Sequence, residues 1–585
     1  MSAEYDVAIV GGGPGGSTAG TLIRKYNPDL SVVILEKERF PREHVGESLL
    51  PLVNRILKEM AVWDKVEAAE FPIKIGITFR WGATPDLWDF DFLPEASFKD
   101  EPRPGKYEGQ RIWTAWHVDR AKYDKILLDH AAELGCEVRE QTAVTKVDTN
   151  GDRVERLHVK GPNGESTVSA KHYIGASGRP GVLRKALGLG IDCPTSLLNV
   201  AFWDYWNDTG WATTIGNGGT RVQIMSIGVG WLWFIPISKT RTSIGLVCPK
   251  DYYQNCGKSP EELYTWALAQ DPRITALTTN ATRDNNVRGT KDWSFLAERI
   301  AGENWLLVGE CAGFADPILS GGMALTHSSA RHAAYNILEY ERGELDPAWL
   351  RKEYSETQVR RINQHIRFAD FWYAGNGQFT DLQEFSRQIA ADSGLKMTPN
   401  EAFHWLTTGG FGDDYHGAVG VGGQDVAAVK QLTTLFATQQ EVPWEISKYN
   451  HFEVDVSGAE QVEVPVIDNG RIVKSVCFVR GEHRLPTFGL WGDLHETMRV
   501  TNDLYTIYND LKNKLVARYG ENMGKFHADH AMQMLEVMLA DGWVKGKTVE
   551  GRPLGKHFKS VAMTGNFKPN ADELSRKIGS GAGPT

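Results

Sequence analysis

Four stretches of this chain carry residue types and spacings suited to chemistry. In "VAIVGGGPGGSTAG", Gly11, Gly13 and Gly16 fit G-x-G-x-x-G between the apolar run Val7–Val10 and a helical stretch from Ser17 to Lys25. Glycines so placed permit a tight turn, let a pyrophosphate approach the backbone, and allow close packing of helix on strand with the anion at the helix N-terminus. Glu36 ends a second apolar run, twenty residues beyond Gly16, where its carboxylate can accept hydrogen bonds from a ribose. In "DPILSGGMAL", Ser320, Gly321 and Gly322 open another helix, whose free N–H groups and dipole favour an anion. "GWLWFIPIS" puts Trp231 and Trp233 on one strand face, with Pro236 ending or edging the strand. Such a pair reads either as sheet core or as a rigid aromatic screen in a site, and position alone does not choose. In "EFPIKIGITFRWG", alternation places Ile73, Ile75, Ile77, Phe79 and Trp81 on one face and Lys74 on the other. That spacing fits a solvated lysine as well as a buried cation.

The elements that must hold these groups are strand, glycine turn and helix at the N-terminus, and a helical pattern from about Asp346 to Tyr373. Composition then shifts. "GGFGDDYHGAVGVGG" has seven glycines in fifteen residues and reads as a long loop. His404, Asp413, Asp414 and His416 nearby fit no metal-ligand spacing, so no metal is expected. From about 441 to 575 the pattern is α+β and winged-helix-like: Asn469-Gly470 gives a hairpin signal between two β-rich runs, and two helical stretches follow. The last helix has no Lys or Arg between Phe526 and Asp541, which disfavours DNA binding. Residues 576–585 read as a disordered tail.

A length of 585 residues predicts two or three cores, and a net charge of −10 argues against nucleic acid as partner. The six cysteines form no CxxC pair or regular framework, consistent with a reducing compartment. No apolar run is long enough to span a bilayer, and the N-terminus lacks the charged start of a signal peptide. The expectation is a soluble, cytoplasmic protein without a membrane partner.

Three separated segments then carry a family resemblance: "FPREHVGESLLP", "HVDRAKYDKILLDHAAELGCEV" and "NWLLVGECAGFADPILSGGMALTHSSA". Together with the glycine loop they resemble FAD enzymes of the aromatic hydroxylase fold. The resemblance implies FAD held by Gly11, Gly13, Gly16, Glu36, Arg42, Glu47, Ser48, Arg120, Asp316, Gly321 and Gly322. Two departures stand out: Glu310 replaces the usual Asp after Gly, and Gly175 replaces the Asp of the usual "DASG". Within that superfamily Trp231, Trp233, Ile235 and Pro236 match W-x-W-x-I-P, the signature of FAD-dependent halogenases. The likeness covers about the first 375 residues. It implies that the indoles separate flavin from substrate, that Lys74 directs an oxidised halogen, and that Ser320, Gly321 and Gly322 hold chloride or bromide. Tryptophan halogenases carry a glutamate where this chain has Leu319, so free tryptophan is disfavoured as substrate. A phenol, a pyrrole or an enolisable acyl group, free or tethered to a carrier protein, fits better. No second dinucleotide fingerprint is evident, which implies reduction of FAD by a separate flavin reductase. The C-terminal region resembles, by architecture alone, the module that closes over the active site in chloramphenicol-type halogenases.

The expected fold is α/β: a Rossmann-like FAD-binding domain of the aromatic hydroxylase type with an inserted mixed β-sheet, plus a C-terminal α+β module. The expected boundaries are 1–375 (substrate sheet about 75–115 and 195–300), 376–440 as a helical and glycine-rich connector, 441–575, and the tail. The expected role is halogenation in secondary metabolism, such as antibiotic biosynthesis. The rivals are an FAD monooxygenase, a polyprenyl reductase, and an inactive flavin-binding interaction protein.

Overall fold

Val7 to Val10 are buried throughout, so this run forms a strand covered on both faces, as parallel sheets require. The computed structural model describes residues 2–82, 86–92, 98–193, 197–216, 218–291, 293–392, 426–433 and 443–555. The glycine-rich stretch 409–423, His404, Asp413, Asp414, His416 and the tail lie outside these residues. The chain divides into two units; among described residues the first runs to 392 and adds Asn469–Arg471, and the second takes in the rest from 426 to 555.

In the first unit, strand Ser2–Val10 lies between Val32–Leu35 and Gly164–Gly175 in a seven-stranded sheet, parallel to both. Trp305–Leu307 extends the parallel part beyond Gly164–Gly175, and Glu137–Arg139 extends it beyond Val32–Leu35. Arg153–Gly161 and Ala143–Asn150 complete the sheet as an antiparallel ladder. Helix Pro14–Tyr26 follows the first strand, begins with proline at its first position, and has no side-chain N-cap. Helix Arg120–Glu133 is capped by Asp119, whose side chain accepts from the Ala121 N–H.

The inserted sheet is mixed and nine-stranded. Its central order is Asn199–Asn207, Arg241–Pro249, Gly230–Pro236, Gly219–Ile227, Ile73–Arg80 and Trp88–Asp91. Strands Gly219–Ile227 and Ile73–Arg80 run parallel, and their register slips: Lys74 faces Thr220 while Gly76 faces Arg221. Ile75 is therefore left over in a bulge. The slip interrupts the regular alternation expected from Ile73 to Trp81, and Ile73 to Phe79 are buried without a break. Neither face of this segment is solvated. Helix Gly321–Arg342 packs on helix Pro14–Tyr26, and helix Pro347–Ala374 follows it.

The second unit is α+β. Glu460–Asp468, Arg471–Arg480 and His483–Pro486 form a meander, with Asn469 and Gly470 both at positive φ in the first turn. Helices Gly489–Val500, Leu504–Tyr519 and Glu521–Ala540 follow, and His451–Val454 pairs with Val544–Lys547. No helix among the described residues is long and apolar enough to cross a membrane.

Candidate active site

The glycine loop has the geometry its spacing predicts. A Cβ on Gly16 would fall 1.9 Å from the Gly11 carbonyl oxygen, so helix and strand approach as only glycine allows. Gly11 sits at φ +114°, and a Cβ there would fall 2.3 Å from the Ala176 oxygen. At Gly13 the surroundings differ: the one atom within 4 Å of a Cβ is the Arg42 Nη2, at 3.4 Å. This is an open cradle with a cation beside it, before a helix N-terminus that no side chain caps. Glu36 accepts from the Gly12 N–H at 2.7 Å and the Glu38 N–H at 2.8 Å, which fixes its carboxylate at the loop.

Arg120 binds Asp124 through both Nε and Nη2, at 2.7 and 2.9 Å, and donates from Nη1 to the carbonyls of Val45 and Gly46. Arg42 lies 3.5 Å from the same Asp124 carboxylate. Asp124 thus ties Arg42, Arg120 and the segment before Glu47 into one group beside the loop. Two buried atoms of that segment, Ser48 Oγ and Glu47 Oε2, have no hydrogen-bond partner within the chain. Unpaired buried polar atoms are costly unless a ligand or water meets them. The open cradle, the paired arginines and these two atoms fit FAD.

The two departures have physical accounts. Gly175 faces Leu307 across the sheet, and a Cβ there would fall 2.8 Å from Leu307 Cδ2, so an aspartate would have to displace that side chain. Glu310 is half-buried, and the charges of Arg120 and Arg179 oppose the upward push of desolvation on its pKa. Glu310 is the acid beside the arginine group. Asp316, expected at the cofactor, has four partners within the protein. Its oxygens accept from the Ile318 N–H at 2.9 Å, Trp293 Nε1 at 3.2 Å and Tyr373 Oη at 3.3 Å, with Asn199 Nδ2 at 3.4 Å. Burial pushes its carboxyl up to about 6.

Trp231 and Trp233 are 1% and 5% exposed, with ring centroids 6.2 Å apart. Each indole N–H ends on a hydroxyl: Trp231 on Tyr373 at 2.7 Å, Trp233 on Ser243 at 3.1 Å. Ser243 also acts on Glu47, which accepts from Tyr205 Oη at 2.8 Å and which burial pushes up to about 7.

Lys74 is 0% exposed, which removes the solvated-lysine reading. Its Nζ donates to the Leu49 carbonyl at 3.1 Å and lies 5.2 Å from the Phe92 ring centre. Burial pushes its pKa well below the usual lysine range, and among the described residues no carboxylate opposes that push. His117 is also fully buried. Ala115 faces Lys74 across the strand pair, so His117, two residues on, is its diagonal neighbour on the same face. Its ring nitrogens make no bond of good geometry, and burial first, then Lys74, pushes its pKa well down.

Ser320 adopts the left-handed conformation (φ +56°) and does not cap helix Gly321–Arg342 with its side chain. The first N–H groups of that helix are thus not met by a side-chain cap. Cβ atoms at Gly321 and Gly322 would fall 2.7 Å from His365 Cδ2 and 2.6 Å from Phe314 Cε2, so a side chain at either position would have to push a neighbouring ring aside.

The structure therefore brings Gly11, Gly13, Gly16, Glu36, Arg42, Glu47, Ser48 and Arg120 together, and links Asp316 to Trp231 through Tyr373. Tyr373 and Ser243 carry no motif, and His117 and Asp124, although they stand in the segment around Arg120, were not singled out by sequence reasoning. Among the described residues no group of His, Cys, Asp or Glu is arranged to hold a metal ion.

A dinucleotide loop, an arginine pair and an inserted mixed sheet define a flavoprotein, and the FAD binding domain family matches residues 4–369. Among curated relatives, the tryptophan 2-halogenase of Chondromyces crocatus is 32% identical over 60% of this chain and 64% of its own length. The 1H-pyrrole-2-carbonyl-[peptidyl-carrier protein] chlorinase of Pseudomonas fluorescens is 32% identical over 57% of this chain and 76% of its own length. The crystal structure of CmlS, a flavin-dependent halogenase, superposes with a TM-score of 0.68 at 24% identity, covering 94% of this chain and 98% of that one; this shows a shared fold. The chain belongs to the flavin-dependent halogenases, with FAD as cofactor. It spans slightly less than two thirds of the first of these relatives.

Proposed function

We propose that this chain halogenates an electron-rich ring, a phenol or pyrrole, or an enolisable acyl group, with carrier-tethered substrates included. The observation that carries this reading is a fully buried lysine, with no carboxylate partner among the described residues, in the same sheet as two hydroxyl-anchored indoles. The pyrrole-carrier chlorinase among its relatives supports the tethered class.

When bound, FAD reduced by a separate reductase supplies, with oxygen and a halide ion, hypohalous acid. Gly13, Arg42 and the N-terminus of helix Pro14–Tyr26 would receive its pyrophosphate, and Glu36 its ribose. The uncapped N–H groups after Ser320 hold the chloride or bromide ion, helped by Gly321 and Gly322. Trp231 and Trp233 keep substrate and bulk water from the oxidant, which leaves it to the small anion. Lys74 meets hypohalous acid as an uncharged amine or as a hydrogen-bond donor; halogen passes to the ring carbon, the ring proton leaves, and hydroxide with that proton becomes water. Leu319 supplies no carboxylate to steady a cationic ring, so the substrate must stabilise its own charge.

The test is mass spectrometry of products from free phenols, pyrroles and carrier-bound acyl groups, with and without halide. Halogenated product is expected from at least one class. Halide-independent oxygenation would show a monooxygenase instead, and no turnover with any class would leave a flavin-binding interaction protein.

A further inference from the structure

Tyr373 lies at the end of helix Pro347–Ala374, beyond residue 369 where the family match stops. Its hydroxyl accepts from Trp231 Nε1 at 2.7 Å and lies 3.3 Å from both oxygens of Asp316. Asn199 Nδ2 donates to the same hydroxyl at 3.3 Å and to Asp316 at 3.4 Å. An indole has one donor and no acceptor, and a buried tryptophan left without a partner is penalised. The ring can rotate about its side-chain bonds, and the hydroxyl favours the one orientation that satisfies the N–H. Because Tyr373 accepts from Trp231, its own proton points elsewhere, and the Asp316 oxygens are there to take it. The second indole is held in the same manner. Ser243 accepts from Trp233 Nε1 at 3.1 Å, and the Trp233 ring lies over Gly245 on the same neighbouring strand.

We infer that Tyr373 and Ser243 are positioning residues for halogenation: their hydroxyls fix the planes of Trp231 and Trp233, and Asp316 orients Tyr373. The inference rests on the reading of the two indoles as a screen. Fixed rings keep the oxidant for the halide; rings free to turn let water in, and the oxidant is lost as hydrogen peroxide.

The experiment uses the full chain loaded with FAD, a flavin reductase with NADH, bromide, and monochlorodimedone as the halogen-accepting probe. For wild type, Tyr373→Phe, Ser243→Ala, Ser243→Thr, Trp231→Phe and Trp233→Phe, the ratio of brominated probe to hydrogen peroxide is measured at matched flavin occupancy. Tyr373→Phe and Ser243→Ala each remove one hydroxyl at nearly constant shape, and each is expected to lower the ratio about fivefold, the equivalent of one net hydrogen bond. Ser243→Thr keeps the hydroxyl and is expected to restore the ratio, which a purely structural effect would not do. If the tryptophan variants lower the ratio while Tyr373→Phe and Ser243→Ala leave it at the wild-type value, the anchoring inference is overturned and the screen stands. If the tryptophan variants also leave it unchanged, the screen reading fails and takes the inference with it. Should Tyr373→Phe lose its flavin, the comparison of Ser243→Ala with Ser243→Thr decides.

Discussion

The Trp233 ring fills the space that any side chain at Gly245 would need: a Cβ on Gly245 would fall 2.2 Å from Trp233 Cζ2. The two residues face each other across adjacent strands, so the indole lies flat over its neighbour's backbone. Gly245→Ala should therefore push the ring out of place. We expect destabilisation of about 1–3 kcal/mol from overpacking. A fall in halogenated product relative to peroxide should accompany it. Thermal unfolding and product analysis check both, and unchanged values in both would show that the ring has room to move.

Gly13 and Gly16 should fail in different ways. Gly13→Val meets only the Arg42 side chain near its Cβ, so the flavin-free protein should fold normally and lose its yellow cofactor. Gly16→Ala places its Cβ on the Gly11 carbonyl and should cost about 1–3 kcal/mol or more of stability even without flavin. Absorbance at the flavin band and unfolding of the flavin-free proteins separate these outcomes.

For Lys74 the expectation concerns stability and activity together. Its folded pKa lies well below its unfolded value, so the unfolded chain binds the extra proton between the two. Stability then rises with pH through that window and levels off above the unfolded pKa. Lys74→Met should raise the melting temperature at pH 7, with the advantage shrinking toward pH 10. The same variant should bind FAD and consume oxygen but lose halogenated product by about 100-fold or more. A variant that still makes product at the wild-type rate would reduce Lys74 to a packing residue.

Glu47 gives the opposite sign. Burial raises its pKa to about 7, so the folded protein holds the proton more tightly than the unfolded chain. Stability should fall as pH rises from about 4.5 to about 7, by on the order of 3 kcal/mol. Glu47→Gln in flavin-free protein should flatten that part of the curve. An equal slope in the variant would assign the effect to another group.

Much of this was legible because the signals are local. The glycine loop, Glu36 and the strand around Trp231 declare themselves within a few residues, and the helix from Pro347 follows its apolar pattern. What was not legible depends on contacts between distant segments. Tyr373 is 142 residues from the indole that it holds, and a tyrosine at a helix end carries no mark of its partner. Nor does the segment around Asp316 announce that Tyr373, Trp293 and Asn199 converge on this carboxylate from three other parts of the chain. The bulge at Ile75 was hidden for the same reason, since only the partner strand reveals a slipped register.

The strand that carries both indoles lies inside its sheet, paired on one side with Gly219–Ile227 and on the other with Arg241–Pro249. A residue there cannot be inserted or deleted without shifting two ladders at once, whereas loops at the sheet's ends tolerate such changes. Evolution, or a designer, can therefore reshape the loops while the strand that carries the two indoles is inherited intact. On the proposed role of the indoles, substrate choice becomes the variable trait of such a scaffold, and halogen handling its fixed one.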